Sequence, residues 1–480
     1  MRNLGQALPR MDSRESQRGY SRQWETKRRI PQRQTSSSHL SVRTESSNAT
    51  SQGQGQSSPV LLVGALQTEL DSPTRNMSAI DSYIVKIYAA CLESRKEAAK
   101  FVTAGLVPVL IHILKTRAAN GLGVEIVLIT LGTIAHDSIS SNIIWRTNTT
   151  ITLIELAKSP VSEISVLSIW CLNQICRSAE IAQGLIKSSD IVSVLQNWIA
   201  TGDMHLASMA VYCVGTLIQN DNIAEFFAAV DMVPLLVGHL RKMTENPQPN
   251  ADHISAGLFG IARMSRSIKL AKSLTKAGCV ELISHHLNKS TDPDILNWSA
   301  RAVGCLMRPN SSDMARALLD AGVARGLARL PTVLHSENLQ ALGSLGFTVQ
   351  RFSCAEWSGK IRQFLVDAGV VDSLLAALRT AAEEPCHDVQ IELALAICLL
   401  GDVGGSAIRK ELVNAGAITI LKDIGNRNPE VAKAADLAKA SIVGNIWSRN
   451  TASAKTTMMH NWNGGCPEYH PPCPVHMQVL

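Results

Sequence analysis

The sequence predicts an all-α solenoid of about nine repeats, and three observations carry that expectation. Apolar residues recur at spacings of three and four from Val60 to about Trp447, which is the period of helices with one buried face. Gly, Pro, Asn or Asp break the pattern every dozen or two residues, and no convincing strand alternation interrupts it. A turn signature then returns at intervals of about 41 to 47 residues, the period of two- or three-helix repeats. Of the 480 residues 45% are apolar and only 4% aromatic, so the core is built from aliphatic and small side chains. A solenoid extends one core along an axis, so this length does not imply three globular domains.

Residues 1–59 come first, rich in Ser, Gln, Arg and Gly. They hold ten Lys or Arg against four acids, which is the entire formal charge of +6, while the remaining chain carries 36 residues of each sign. Such a segment cannot bury enough apolar area to offset its ordering entropy, and it is expected to be disordered. Four Arg-x-x-Ser sequences place Ser13, Ser21, Ser36 and Ser46 as candidate phosphoacceptors. Each phosphate adds roughly −1.5 to −2 charges, so four of them cancel or reverse the basic charge. The tail is therefore read as a regulated electrostatic arm for anionic surfaces, acidic protein or the array itself. A nuclear localisation role for Lys27-Arg28-Arg29 with Arg33 is the rival, with Ile30 breaking the basic run.

Residues 60–447 form the expected repeat array. The signature is an apolar pair, then Ala-Gly, then an apolar stripe. It stands in Phe101-Val102-Thr103-Ala104-Gly105, in Leu274-Thr275-Lys276-Ala277-Gly278, and again ending at Gly322, Gly369 and Gly416. Weaker copies turn at Ser189 and Asp231, and degenerate ones fall near Leu61 and Asn148. Each repeat reads as a short helix ending at the glycine, where a left-handed backbone is easy, a second helix, and a strongly apolar third helix such as Val161 to Cys176 or His205 to Ile218. Gly132, Gly215, Gly260 and Gly304 fall near the end of the third helix, where they let repeats approach. Residues 448–480 end the pattern with Pro, His and Cys. Their His460, Cys466, His470, Cys473 and His476 match no standard zinc spacing, and a flexible tail without metal is expected.

With these residues in view, the Ala-Gly turns and Trp170-Cys171-Leu172-Asn173-Gln174-Ile175 in a third helix resemble armadillo repeats, the family of β-catenin, importin-α and the fungal vacuolar armadillo protein. The resemblance covers roughly residues 60 to 447. It implies a right-handed superhelix whose third helices line a concave groove that grips extended partner peptides. HEAT repeats, of similar period, are the structural runner-up.

The importin-type ladder pairs Trp with Asn four residues on. Aligning third helices on Ile134, Ile175, Leu217, Ile261, Leu306 and Leu345 puts Ile129, Trp170, Tyr212, Ala256, Arg301 and Gln340 at the Trp position. The Asn position then holds Thr133, Gln174, Thr216, Gly260, Cys305 and Ser344, so the ladder is absent. Arg301 is the only cation in either row, so the basic groove of the β-catenin type is not seen. Trp170, Gln174, Tyr212 and Thr216 are the candidate peptide-binding residues, with an inter-repeat packing role for Trp170 as the alternative.

No phosphate-loop, metalloprotease, nucleophile-elbow or dinucleotide motif occurs. His285-His286 reads as a solvated helix edge. Eleven cysteines without framework spacing suit a reducing compartment. No apolar run reaches the ~18 residues of a membrane span, and neither signal peptide nor lipidation signal is recognised. The expectation is a non-enzymatic scaffold in the cytoplasm, with the nucleus as alternative location, binding other proteins through extended peptides. No cofactor or metal is expected, and a neutral body does not suit nucleic acid. The alternatives are a regulator or exchange factor of a small GTPase, and a nuclear transport adaptor.

Overall fold

The computed structural model describes residues 58–444 except 136, 202, 308–310, 335–337, 355–358, 385 and 427. Ser13, Ser21, Ser36, Ser46 and the His460 to His476 group lie outside the described residues.

Among the described residues there are 27 helices and no strand. A leading pair, α1 (Pro59–Asp71) and α2 (Met77–Glu93), is followed by eight groups. The first four are α3 (Arg95–Thr103), α4 (Leu106–Ala119) and α5 (Glu125–Ile134); α6 (Ser138–Arg146), α7 (Thr149–Ala157) and α8 (Ser162–Ile175); α9 (Ala179–Ser188), α10 (Ile191–Ala200) and α11 (Met204–Leu217); α12 (Asp221–Ala229), α13 (Met232–Thr244) and α14 (Ala251–Met264). Then come α15 (Ile268–Lys276), α16 (Cys279–Lys289) and α17 (Pro293–Leu306). The next group has a broken middle helix: α18 (Ser312–Asp320), α19 (Val323–Ala328), α20 (Leu330–Val333) and α21 (Leu339–Cys354). The last two are α22 (Gly359–Asp367), α23 (Val370–Glu383) and α24 (His387–Val403); α25 (Gly405–Asn414), α26 (Ala417–Gly425) and α27 (Pro429–Val443). No single described helix is long and apolar enough to cross a membrane.

Local chemistry sets these boundaries. Several first helices begin on a hydroxyl or amide cap: Ser94 Oγ accepts from Glu97 N at 3.1 Å, and Asn220 Oδ1 from Ile223 N at 3.0 Å. Some third helices begin the same way, with Asp203 accepting from Leu206 N at 2.9 Å and Asp292 from Ile295 N at 2.9 Å. Each cap satisfies an amide that has no helical acceptor. The turn between first and second helices bends the chain by 79° at Gly105 and 83° at Asp231. Gly105, Gly278, Gly322, Gly369 and Gly416 all sit at φ between 81° and 93° there, the left-handed region. Asn148 and Asp231 adopt the same region at φ 53° and 58°, as residues with a short polar side chain do. Ser189 departs from the pattern and is extended at φ −146°.

The third helices form the spine. Each packs along the third helix of the next group, and from α11 onward these are the most extensive pairings among the described helices. Position in the stack decides helix character. α8 is buried at every residue from Ser165 to Ile175, and α11 from Leu206 to Leu217. The final α27 buries only the stripe Val431, Ala434, Ala435, Ala438, Ser441 and Ile442, and among the described helices it has a third-helix neighbour on one side alone.

Candidate binding face on the third helices

Five residues before the last residue of each third helix stand Ile129, Trp170, Tyr212, Phe259 and Arg301. One glycine contact after another fixes this register. Three residues further on lie Gly132, Gly215 and Gly304, and each faces an aromatic ring of the following group. A Cβ on Gly132 would lie 2.1 Å from the Trp170 ring, one on Gly215 2.5 Å from Phe259, and one on Gly304 2.4 Å from Phe347. Phe347 is therefore the α21 member of the row. Glycine is required here because the ring occupies the space of the missing side chain.

Neighbouring side chains meet along part of the row. The Tyr212 and Phe259 rings are 6.0 Å apart between centroids, Phe259 meets Trp298 edge-on at 4.9 Å, and the Arg301 guanidinium lies 4.3 Å from the Phe347 centroid. One turn beyond the row come Thr133, Gln174, Thr216, Arg263, Cys305 and Arg351. Arg263 donates from Nε to Gly215 O at 3.0 Å and from Nη2 to Ile218 O at 2.6 Å, tying α14 to the end of α11.

The structure thus brings Trp170, Gln174, Tyr212 and Thr216 onto one line across two adjacent third helices, and it seats each against protein. Their exposures are 4%, 5%, 2% and 6%. Trp170 packs over Gly132, and Tyr212 Oη donates to Asp252 O at 2.9 Å. Gln174 Oε1 accepts from Arg177. Two polar groups beside them are left over: neither amide atom of Asn173 nor Thr216 Oγ1 has a hydrogen-bond partner among the described residues.

Two registers differ from the sequence alignment. In α14 the row residue is Phe259 rather than Ala256, with Arg263 rather than Gly260 one turn on. In α21 it is Phe347 rather than Gln340, followed by Arg351 rather than Ser344. The cause is physical: Leu258, Ile261 and Met264 are all fully buried, so an apolar helix enclosed all round carries no phase marker. The glycine-to-ring pairing was the missing signal. The correction also changes the electrostatics, because Arg263, Arg301 and Arg351 now share the strip where the alignment found a single cation.

His285 and His286 separate as well. His285 is exposed, whereas His286 is buried with Nε2 2.8 Å from Thr244 Oγ1, and burial holds its pKa down at about 4. Burial pushes the thiols of Cys213, Cys279 and Cys398 up to about 12, so they remain protonated and are poor nucleophiles. Among the described residues no His, Cys, Asp and Glu side chains gather into a metal-binding group.

No family model matches the chain, and no curated protein matches it. Solved structures do. An engineered protein known from its crystal structure is 19% identical over 80% of this chain and 88% of its own, with a TM-score of 0.56. A designed armadillo repeat protein is 15% identical over 53% of this chain and all of its own, at a TM-score of 0.44. Another, in complex with peptide (KR)4, is 16% identical with the same coverage and TM-score. The repeated first helix, left-handed turn, second helix and stacked third helix make the fold an armadillo-like solenoid. At such identities the likeness concerns fold alone.

Proposed function

We propose that the protein is a non-enzymatic binding scaffold, and that extended segments of partner proteins lie along the third-helix row around Trp170, Gln174, Tyr212 and Thr216. The observation that carries this reading is that Asn173 and Thr216, 1% and 6% exposed beside two large rings, keep side-chain polar atoms without a partner among the described residues, so a partner segment reaches them by displacing the side chains that now cover them. Native interfaces that serve packing alone satisfy or replace buried polar atoms, whereas a side-chain amide offers both a donor and an acceptor to an extended backbone. A cytoplasmic location belongs to the same proposal, supported by nine described cysteines that are all free thiols.

The test uses the full chain. Peptides selected from a random displayed library are measured against the intact protein and a Gln174→Ala, Tyr212→Ala double variant, with helicity checked by circular dichroism. At least a tenfold loss of affinity is expected. Unchanged affinity in a folded variant removes the row as the binding face. Nucleotide-dependent capture of a small GTPase away from the row replaces the scaffold reading with that of a GTPase regulator.

A further inference from the structure

In a solenoid each repeat ordinarily touches only its neighbours. Arg301 of α17 reaches one repeat further. Its guanidinium forks onto Glu392 of α24, with Nη1 to Oε1 at 3.2 Å and Nη2 to Oε2 at 3.3 Å, across the intervening α21. α21 builds the seat in which this happens. Arg301 Nε donates to Ser344 Oγ at 3.1 Å, and Ser344 Oγ donates in turn to Asn297 Oδ1 at 2.6 Å. The Phe347 ring lies against the guanidinium, and the Arg351 guanidinium lies 4.7 Å from the same centroid.

α24 approaches this closely because α21 carries glycine at both crossing points. A Cβ on Gly343 would stand 2.8 Å from Glu392 Oε2, and one on Gly346 3.0 Å from the Glu392 backbone. Gln350 Nε2 donates to Glu392 O at 2.8 Å and holds the backbone in place. The two charges differ in access: the Arg301 side chain is 5% exposed and that of Glu392 21%.

We propose that this is a carboxylate-binding seat which the chain fills with its own Glu392, and that an acidic side chain of a bound partner takes the seat by displacing it. The seated carboxylate itself fixes the ligand chemistry. Arg301 is held by Ser344 and Phe347 independently of Glu392, so the fork stays aimed when Glu392 leaves. A buried cation stripped of its counter-ion strongly favours another anion, and a bidentate guanidinium selects a planar carboxylate. Glu392, the more exposed partner, is the one able to swing away. The inference rests on the reading that partners lie along the third-helix row, and it specifies that they are acidic at the position over α17 to α24.

Fluorescence polarisation of fluorescein-labelled octa-glutamate and octa-lysine with the full chain provides the test. Glu392→Gln is expected to bind octa-glutamate at least tenfold more tightly than the parent protein, with octa-lysine unchanged, and Arg301→Gln in the same background is expected to abolish the gain. Glu392→Asp, which keeps the charge on a shorter stem, provides a second folded variant and gives an intermediate gain. Equal octa-glutamate affinity in parent and Glu392→Gln overturns the seat. The two readings fail separately. A gain at Glu392→Gln that persists while the Gln174→Ala, Tyr212→Ala variant has no effect leaves the seat standing and removes the row, and the reverse pattern removes the seat alone.

Discussion

Adding one methyl group to a third-helix glycine tests the packing register. In Gly132→Ala the new Cβ falls 2.1 Å, 2.5 Å and 2.9 Å from three carbons of the Trp170 ring. Carbon atoms settle about 3.5–4.0 Å apart, so the ring has to retreat by roughly 1.4–1.9 Å. It is enclosed at 4% exposure and has little room to do so. Overpacking of this kind costs about 1–3 kcal/mol, and alanine returns about 0.5–1 kcal/mol of backbone entropy in a helix. The net is a destabilisation of about 1–2 kcal/mol. Gly215→Ala against Phe259 and Gly304→Ala against Phe347 behave alike, with approaches of 2.5 Å and 2.4 Å. Gly64 and Gly238 are helical with nothing within 4 Å of a Cβ, so the same substitution there stabilises by up to about 1 kcal/mol. Urea midpoints followed by circular dichroism read the difference. Gly132→Ala as stable as Gly238→Ala refutes the ring-on-glycine register.

Other outcomes follow from the same geometry. Arg263→Met leaves the Gly215 and Ile218 carbonyls without their donor and is expected to cost about 2–4 kcal/mol in urea unfolding. Gly105→Ala meets no atom but forces alanine to φ 87°, for a loss of about 1–2 kcal/mol, again read from the midpoint. Burial holds the pKa of His239 and of His286 down at about 4. Between about pH 6.5 and 4 the unfolded chain therefore binds more protons than the folded one. Stability is expected to fall as pH drops through that window and to be insensitive to these groups above it. His239→Gln flattens the slope of midpoint against pH from 7 to 5, and an unchanged slope contradicts the assignment.

The turns were the most legible part of the fold. A left-handed residue between first and second helices demands glycine, and Gly105, Gly278, Gly322, Gly369 and Gly416 announce it in the sequence. Asn148 and Asp231 imitate it, and their weaker signatures match that substitution. Ser189 was misleading because its group turns through extended backbone, which leaves no compositional mark. The face that carries Trp170, Gln174, Tyr212 and Thr216 was legible wherever a large ring interrupted small residues. It was lost at Phe259 and Phe347, where helix phase depends on partners about 43 residues away that alternate between glycine and bulk. The Arg301 and Glu392 pair is separated by 91 residues and skips a repeat, so no periodic pattern predicts it.

The central claim is that partners bind along the third helices, and hydrogen exchange measured by mass spectrometry tests it most directly. The full chain is compared with and without a peptide selected from a random displayed library. Added protection is expected in α8, α11, α14 and α17, together with altered exchange in α24 when the peptide is acidic. Protection confined to first and second helices, with the third helices unchanged, contradicts it.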